Sequence, residues 1–281
     1  MMKIERRYVT ERFPKRTKYG NKGSYGKVLS VCGSETMMGA AVLAAKGAYV
    51  VGAGYVVCAV PEDEKNIIFT SLPEAVVLPL ADGKEKAQLN KFIAAAKPTV
   101  ALIGCGLGEQ NAKKYIPSFL GKLDIPVIID GDGLNALAKT NFKFKKPAVL
   151  TPHPLEAARL LGLKKAVTDR KDAAIKIARN YNAVCVLKGM DTVVADGKNV
   201  LVNTTGSPAL SKAGTGDVLA GMISGIWAQM IAARKGSALE ASACAVYLHG
   251  LAGEIAEKEI SAYSLFTSKL DLYVGRAIKK L

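Results

Sequence analysis

Residues 211–221 read Ser-Lys-Ala-Gly-Thr-Gly-Asp-Val-Leu-Ala-Gly, a small glycine-rich turn feeding an apolar helical stretch that ends near Ala233. The first turn of a helix leaves backbone N–H groups unpaired and carries the positive end of the peptide dipoles, so it attracts anions. Gly214 and Gly216 would let this backbone approach phosphate oxygens closely, and the amides would stabilise charge developing on a transferring phosphoryl group. Asp217, in the same turn, would accept the proton of an attacking hydroxyl. The competing reading makes Asp217 an ordinary first-turn carboxylate favoured by the helix dipole.

Four more segments place chemistry-bearing residues where β-branched runs end. His153 stands between Pro152 and Pro154, and a loop histidine held that rigidly suits contact with a polar ligand. The other histidine, His249, lies in an apolar helical stretch and reads as a core residue. Residues 104–108, Gly-Cys-Gly-Leu-Gly, make either a phosphate-hugging turn or a plain tight loop. Asp130 and Asp132 would hold Mg2+ partly through water, or cap turns. Lys188, Gly189, Met190, Asp191 and Thr192 offer a cation and a hydroxyl, suited to nucleotide phosphates or equally to a turn.

The elements that must position these residues are legible from periodicity. Apolar runs at 28–33, 100–104, 127–130, 148–151 and 184–188 read as buried parallel strands. Helical patterns at 88–96, 155–161 and 169–181 alternate with them, which predicts an open, mostly parallel sheet covered by helices on both faces, a three-layer α/β/α sandwich. Residues 192–195 and 200–203, joined by Asp-Gly-Lys-Asn, predict an antiparallel hairpin near the sheet edge, and from Gly216 onward the chain reads as mostly helical. In such sheets ligands bind beyond the carboxyl ends of the strands, where nearly all the distinctive residues fall.

The 281 residues suffice for one large α/β domain, with residues 1–22 expected as a basic N-terminal arm and 23–281 as a single catalytic domain. The five cysteines are scattered singly among apolar neighbours, which predicts reduced core thiols and a cytoplasmic protein; no secretory leader is read. Residues 37–60 carry one charge, Lys46, but their glycines and the following Pro-Glu-Asp predict a buried helix, a turn and a buried strand, not a membrane span. The formal charge of +15 favours polyanionic partners, and without arginine-aromatic alternation or zinc-ligand spacing it is read as solvated surface, with no nucleic acid expected.

Taken together and in order, the segments resemble the ADP/ATP-dependent NAD(P)H-hydrate dehydratase family, within the ribokinase-like fold. Gly23-Ser24-Tyr25-Gly26-Lys27-Val28, Gly33-Ser34 with Gly39-Ala40, residues 104–108, 130–135, Thr151-Pro152-His153-Pro154 and Gly214-Thr215-Gly216-Asp217 carry the likeness. The resemblance implies repair of hydrated NADH and NADPH: ADP or ATP, with Mg2+, phosphorylates the ring hydroxyl, and elimination of phosphate restores the reduced cofactor. It implies that Ala40, Gly106, His153 and Asp217 bind the hydrated cofactor, that Lys188 to Thr192 and Gly216 bind the nucleotide, and that Asp217 is the base with the Gly214–Gly216 amides as anion hole. It also implies a homo-oligomer, a tetramer; the N-terminal epimerase domain often fused in the family is not expected, because residues 1–22 are too short to hold one. The sequence departs from the family pattern at Met37, Ala41, Leu155 and Ala213, mostly on the acceptor side. An ATP-dependent kinase of a small alcohol, vitamin or sugar would use the same Asp217 and is the alternative expectation.

Overall fold

Val28 and Leu29 are neighbours on one strand yet bury into different cores, because successive side chains on a strand point to opposite faces of the sheet. That alternation, repeated across the central strands, makes the three layers. The computed structural model describes residues 2–120 and 124–281. Its strands are β1 (Met2–Lys3), β2 (Lys27–Val31), β3 (Tyr55–Pro61), β4 (Val76–Leu80), β5 (Val100–Ile103), β6 (Val127–Ile129), β7 (Ala148–Leu150), β8 (Val184–Leu187), β9 (Thr192–Ala195) and β10 (Val200–Asn203). They form one sheet in the order β1-β10-β9-β8-β7-β6-β5-β2-β3-β4. Only the β8–β9 and β9–β10 pairings are antiparallel among the described residues.

One face is covered by the helices Met38–Val50, Thr215–Ala232 and Ala238–Ile260, the other by helices that include Glu85–Ala96, Glu109–Leu120 and Arg170–Tyr181. Small residues allow the first two to touch backbone to backbone. A Cβ on Gly221 would lie 2.0 Å from the Ala44 carbonyl oxygen, and one on Gly47 would lie 2.3 Å from that of Val218. This close seam fixes the height at which the first turn of Thr215–Ala232 meets the strand ends. All five cysteines are free and buried. Residues 37–60 form the expected helix, turn and strand β3, and no helix among the described residues is long and apolar enough to cross a membrane.

Part of the segment expected as a basic N-terminal arm is tied into the sheet. β1 pairs in parallel with β10 and forms the sheet's edge, and the Ile4 amide donates to the Val202 carbonyl at 2.8 Å. Helix Arg6–Arg12 follows, with Ile4 and Val9 almost fully buried in the core. The basic side chains had masked two apolar anchors spaced five apart. β4 also escaped sequence reading, since it is a half-exposed edge strand interrupted by Pro79.

Candidate active site

Four parallel strands deliver the centre of the site one residue past their ends. Gly104 follows β5, Asp130 follows β6, Thr151 follows β7 and Lys188 follows β8. Lys188 Nζ lies 2.7 Å from Asp130 Oδ1 and 4.0 Å from Glu156 Oε2. The Thr151 hydroxyl donates to the same Asp130 oxygen at 2.6 Å, and the Cys105 thiol donates to Oδ2 at 3.6 Å. Burial alone would lower the Lys188 pKa, but Asp130 and then Glu156 outweigh it and raise it, so the ammonium stays charged.

Helix Thr215–Ala232 points its N-terminus at this cluster. Gly214 takes a left-handed conformation, φ 88°, as its N-cap residue, and no side chain caps the helix; the Thr215 amide donates to the Lys212 carbonyl at 3.4 Å, while those of Gly214 and Gly216 have no backbone partner among the described residues. A Cβ on Gly216 would sit 3.4 Å from Lys188 Nζ, which places the ammonium over the glycine turn. Asp217 follows in the first turn. Burial, then the charge of Asp130, push its pKa up to about 7, with Lys188 opposing. Potential ligand atoms of Cys105, Asp130 and Asp217 all lie within 4.8 Å of one another. The arrangement sets a cation and the Gly214 and Gly216 amides beside a carboxylate whose pKa is pushed up to about 7.

A cleft of 680 Å³ opens beside it, lined among others by Lys188, Gly189, Met190, Asp191, Thr192, Asn203 to Ser207, Thr215 and Gly216. The expected nucleotide residues are therefore brought together. Within that group the Thr192 hydroxyl donates to the Gly189 carbonyl at 2.8 Å and closes the turn. His153 lines the same cleft, whereas Gly106 and Ala40 meet each other away from it: a Cβ on Gly106 would fall 2.6 Å from Ala40 Cβ. Of the three residues expected to bind the acceptor with Asp217, His153 thus shares the cleft with the expected nucleotide residues, and Gly106 and Ala40 are not among its lining.

His153 also has a local task. Its Nδ1 accepts from the Leu155 and Glu156 amides at 3.1 and 3.3 Å, while Glu156 accepts from the His153 amide at 2.8 Å, a reciprocal cap of helix Pro154–Leu160. Burial, then Lys188, lower the His153 pKa, so the ring is neutral and able to accept. Asp132 accepts from the Gly108 amide at 2.8 Å and serves as a turn cap. His249 is buried as expected, yet it is not idle. Burial pushes its pKa down to about 4, and its Nε2–H donates to the Thr215 carbonyl at 3.0 Å, supporting the glycine turn from beneath.

Sequence reading missed Glu156, Thr151 and Cys105 as members of the cluster. Glu156 had a usable signal, standing three residues after a capping position, but it reads as a helix cap until Lys188 arrives from another strand. Burial pushes the Glu156 pKa up to about 7, with Lys188 opposing.

Residues 28–273 match the family model described as NAD(P)H-hydrate dehydratase. The chain is 39% identical over 287 residues to the bifunctional NAD(P)H-hydrate repair enzyme of Moorella thermoacetica, covering 98% of this chain and 53% of that protein. It thus spans about half the length of the bifunctional curated relatives it matches. It is 36% identical to the ADP-dependent (S)-NAD(P)H-hydrate dehydratase of Bacillus subtilis, covering 97% of this chain and 96% of that one. A crystal structure of the ADP/ATP-dependent NAD(P)H-hydrate dehydratase from Bacillus subtilis, co-crystallised with ATP and Mg2+, is similar at a TM-score of 0.85 and 33% identity, covering 99% and 98% of the two chains. A ribokinase-like superfamily protein from Enterococcus faecalis is similar at a TM-score of 0.86 and 26% identity, covering 100% of this chain and 96% of that one.

Proposed function

Because the chain belongs to the NAD(P)H-hydrate dehydratase family, with a ribokinase-like fold, we propose that it repairs hydrated NADH and NADPH with ADP or ATP as phosphoryl donor. The observation that carries the reading is Asp217, a partly buried carboxylate whose pKa is pushed up to about 7, set beside the Lys188 ammonium and the amides of Gly214 and Gly216. The donor lies in the large cleft against residues 188–192 and Gly216. The hydrated nicotinamide ring lies at Asp217, between the Gly106–Ala40 contact and His153.

Asp217 accepts the proton of the ring hydroxyl as its oxygen bonds to the terminal phosphorus and the donor's bridging P–O bond breaks. Lys188 and the turn amides hold the charge that builds on the phosphoryl oxygens, in place before the reaction and at no reorganisation cost. Phosphate then leaves with the C–O bonding pair, the ring nitrogen supplies electrons, and loss of a proton from the adjacent ring carbon restores the double bond. Mg2+ is expected to accompany the donor. The side chains here do not make a dedicated cage for it, since Asp130 is committed to Lys188, Thr151 and Cys105 and Asp132 to the Gly108 amide. We assign no step to the ion.

The kinase alternative is less well supported, because both the family model and the full-length relative are described as dehydratases. Incubation with hydrated NADH and each nucleotide decides between them. Restored absorbance of reduced nicotinamide together with free phosphate supports dehydration; a stable phosphorylated product contradicts it. Buried free thiols throughout the chain fit a reducing compartment, the cytoplasm. Exposed Tyr263, Phe266 and Leu272 near the C-terminus offer apolar surface for self-association, and a mass measurement in solution tests the tetramer that the family resemblance implies.

A further inference from the structure

The two amides without a backbone partner at the start of helix Thr215–Ala232 belong to the peptide units that join Ala213 to Gly214 and Thr215 to Gly216. A peptide unit is planar and trans, so its C=O and N–H point to opposite sides, and a group that holds the oxygen sets the direction of the N–H. Side chains hold both oxygens. The Thr267 hydroxyl donates to the Ala213 carbonyl at 2.9 Å, and His249 Nε2 lies 3.0 Å from the Thr215 carbonyl. A carbonyl oxygen only accepts, so Nε2 carries the proton. The buried ring, whose pKa burial pushes down to about 4, stays neutral.

These donors reach the turn from two separate elements. Thr267 opens the short helix Thr267–Lys269, and His249 lies within Ala238–Ile260. The approach is close, since a Cβ on Gly214 would lie 3.3 Å from Thr267 Cγ2. The turn's own side chain does something different. The Thr215 hydroxyl donates to the Leu210 and Lys212 carbonyls, at 2.9 and 3.0 Å, which shapes the turn without reaching the oxygen of either open peptide. A carbonyl that already accepts a hydrogen bond polarises its peptide and strengthens the bond that the N–H on the other side can donate. An N–H fixed in this way needs no reorientation when charge develops opposite it.

We propose that Thr267 and His249 are positioning residues for phosphoryl transfer, each bonding the carbonyl of one peptide so that the Gly214 and Gly216 N–H groups are aimed at, and polarised toward, the phosphoryl oxygens. Neither side chain need touch the transferring group. That the acceptor is the hydroxyl of a hydrated nicotinamide rests on the dehydratase reading above; the two clamps act on the donor's phosphoryl group whatever the acceptor.

Thr267→Val keeps the shape of the side chain and removes the donor, and Thr267→Ser keeps the donor. Position 267 is partly exposed, so both variants should fold. With hydrated NADH and ATP, the valine variant should lose about tenfold in kcat, the scale of one hydrogen bond that counts in the transition state, with the ATP dissociation constant near wild type. The serine variant should recover most of the lost rate. A second measurement needs no acceptor: the affinity for ADP with fluoroaluminate, which mimics the phosphoryl group in transfer, against that for ADP alone. Wild type is expected to bind ADP more tightly when fluoroaluminate is present, and Thr267→Val and His249→Leu should each cut that gain about tenfold while leaving ADP itself unaffected. Nitrogen NMR of the wild-type chain adds a readout for His249 that requires no variant, with Nε2 expected to be protonated on a neutral ring at neutral pH. A serine variant as slow as the valine one, a valine variant with wild-type kcat and fluoroaluminate gain, or an unprotonated Nε2 on His249 overturns the proposal. If wild type makes no NADH from the hydrate, the dehydratase reading falls and the fluoroaluminate series still decides the clamps. If NADH forms and the variants keep the full fluoroaluminate gain, the dehydratase reading stands and the clamps fall.

Discussion

Lys188 and Asp130 form a largely buried ion pair, 2.7 Å apart, across the carboxyl ends of β8 and β6, with Thr151 from the intervening β7 bonded to the same Asp130 oxygen. The pair holds a charged ammonium next to the Gly216 turn before any ligand arrives. A phosphoryl group entering the turn therefore meets a cation already oriented and largely shielded from water. The same pairing explains the neighbouring carboxylates. Burial raises the pKa of Glu156 and of the partly buried Asp217, and the nearby charge of Asp130 helps hold their protons near neutral pH.

Lys188→Met leaves Asp130 charged and buried with only neutral donors, and is expected to cost about 3–5 kcal/mol, the scale of breaking a buried pair from one side. Adding Asp130→Asn should recover most of that loss, since no charge then remains unpaired. Neither variant should turn over at more than a small fraction of the wild-type rate. Urea unfolding compares the stabilities, and equal midpoints for Lys188→Met and wild type would show that the pair is not structurally coupled.

Stability should fall as pH rises through the range set by Asp217 and Glu156. Their ordinary values are 3.8 and 4.5, and each is raised to about 7 in the fold, so the native state holds more protons than the unfolded chain between those limits. Their contribution is full below about pH 4 and is lost as pH climbs through 7. His249 acts in the opposite direction, because its pKa is lowered from 6.5 to about 4 and its contribution is lost as pH falls through that window. Asp217→Asn should flatten the loss of stability between pH 4 and 7, read from urea midpoints. The kcat/KM of wild type should rise through about pH 7 as Asp217 deprotonates. A rate that falls over that range would remove it as the base.

His153→Ala and His153→Asn separate the two tasks of this residue. Alanine abolishes the helix cap and should cost about 1 kcal/mol, whereas asparagine caps well and should cost little. Both lose the imidazole, and both should weaken hydrated NADH more than the nucleotide. Dissociation constants for each ligand check this. A rise confined to the nucleotide constant would move His153 to the donor side, where it also lines the cleft.

The inner strands and the glycine turn were legible because their signals are local: a buried parallel strand is a continuous apolar run, and Gly214-Thr215-Gly216-Asp217 announces an open helix start within four residues. Cys105, Thr151 and Glu156 were not legible as one cluster, because only the strand order β5-β6-β7-β8 brings them to Asp130 and Lys188. The N-terminal residues misled for a different reason. Their surface charge is real, and it surrounds Ile4 and Val9, whose burial depends on partners some two hundred residues away.

Ile4→Ala should therefore destabilise the protein by about 2–5 kcal/mol, the cost of a cavity in a packed core. A loose basic arm would tolerate the change at no cost. The urea midpoint distinguishes the two, and the kcat of the folded variant should remain near wild type because Ile4 lies at the far edge of the sheet from β5 and β6.

The central claim, that Asp217 takes the hydroxyl proton while Lys188 and the turn amides hold the phosphoryl group, is tested most directly by Asp217→Asn. Turnover of hydrated NADH with ADP or ATP is followed through reduced nicotinamide and phosphate together, alongside the nucleotide dissociation constant. The account predicts a folded protein with nearly unchanged nucleotide affinity and turnover lower by roughly two or more orders of magnitude, the contribution of a general base. A variant that keeps turnover close to wild type would contradict it.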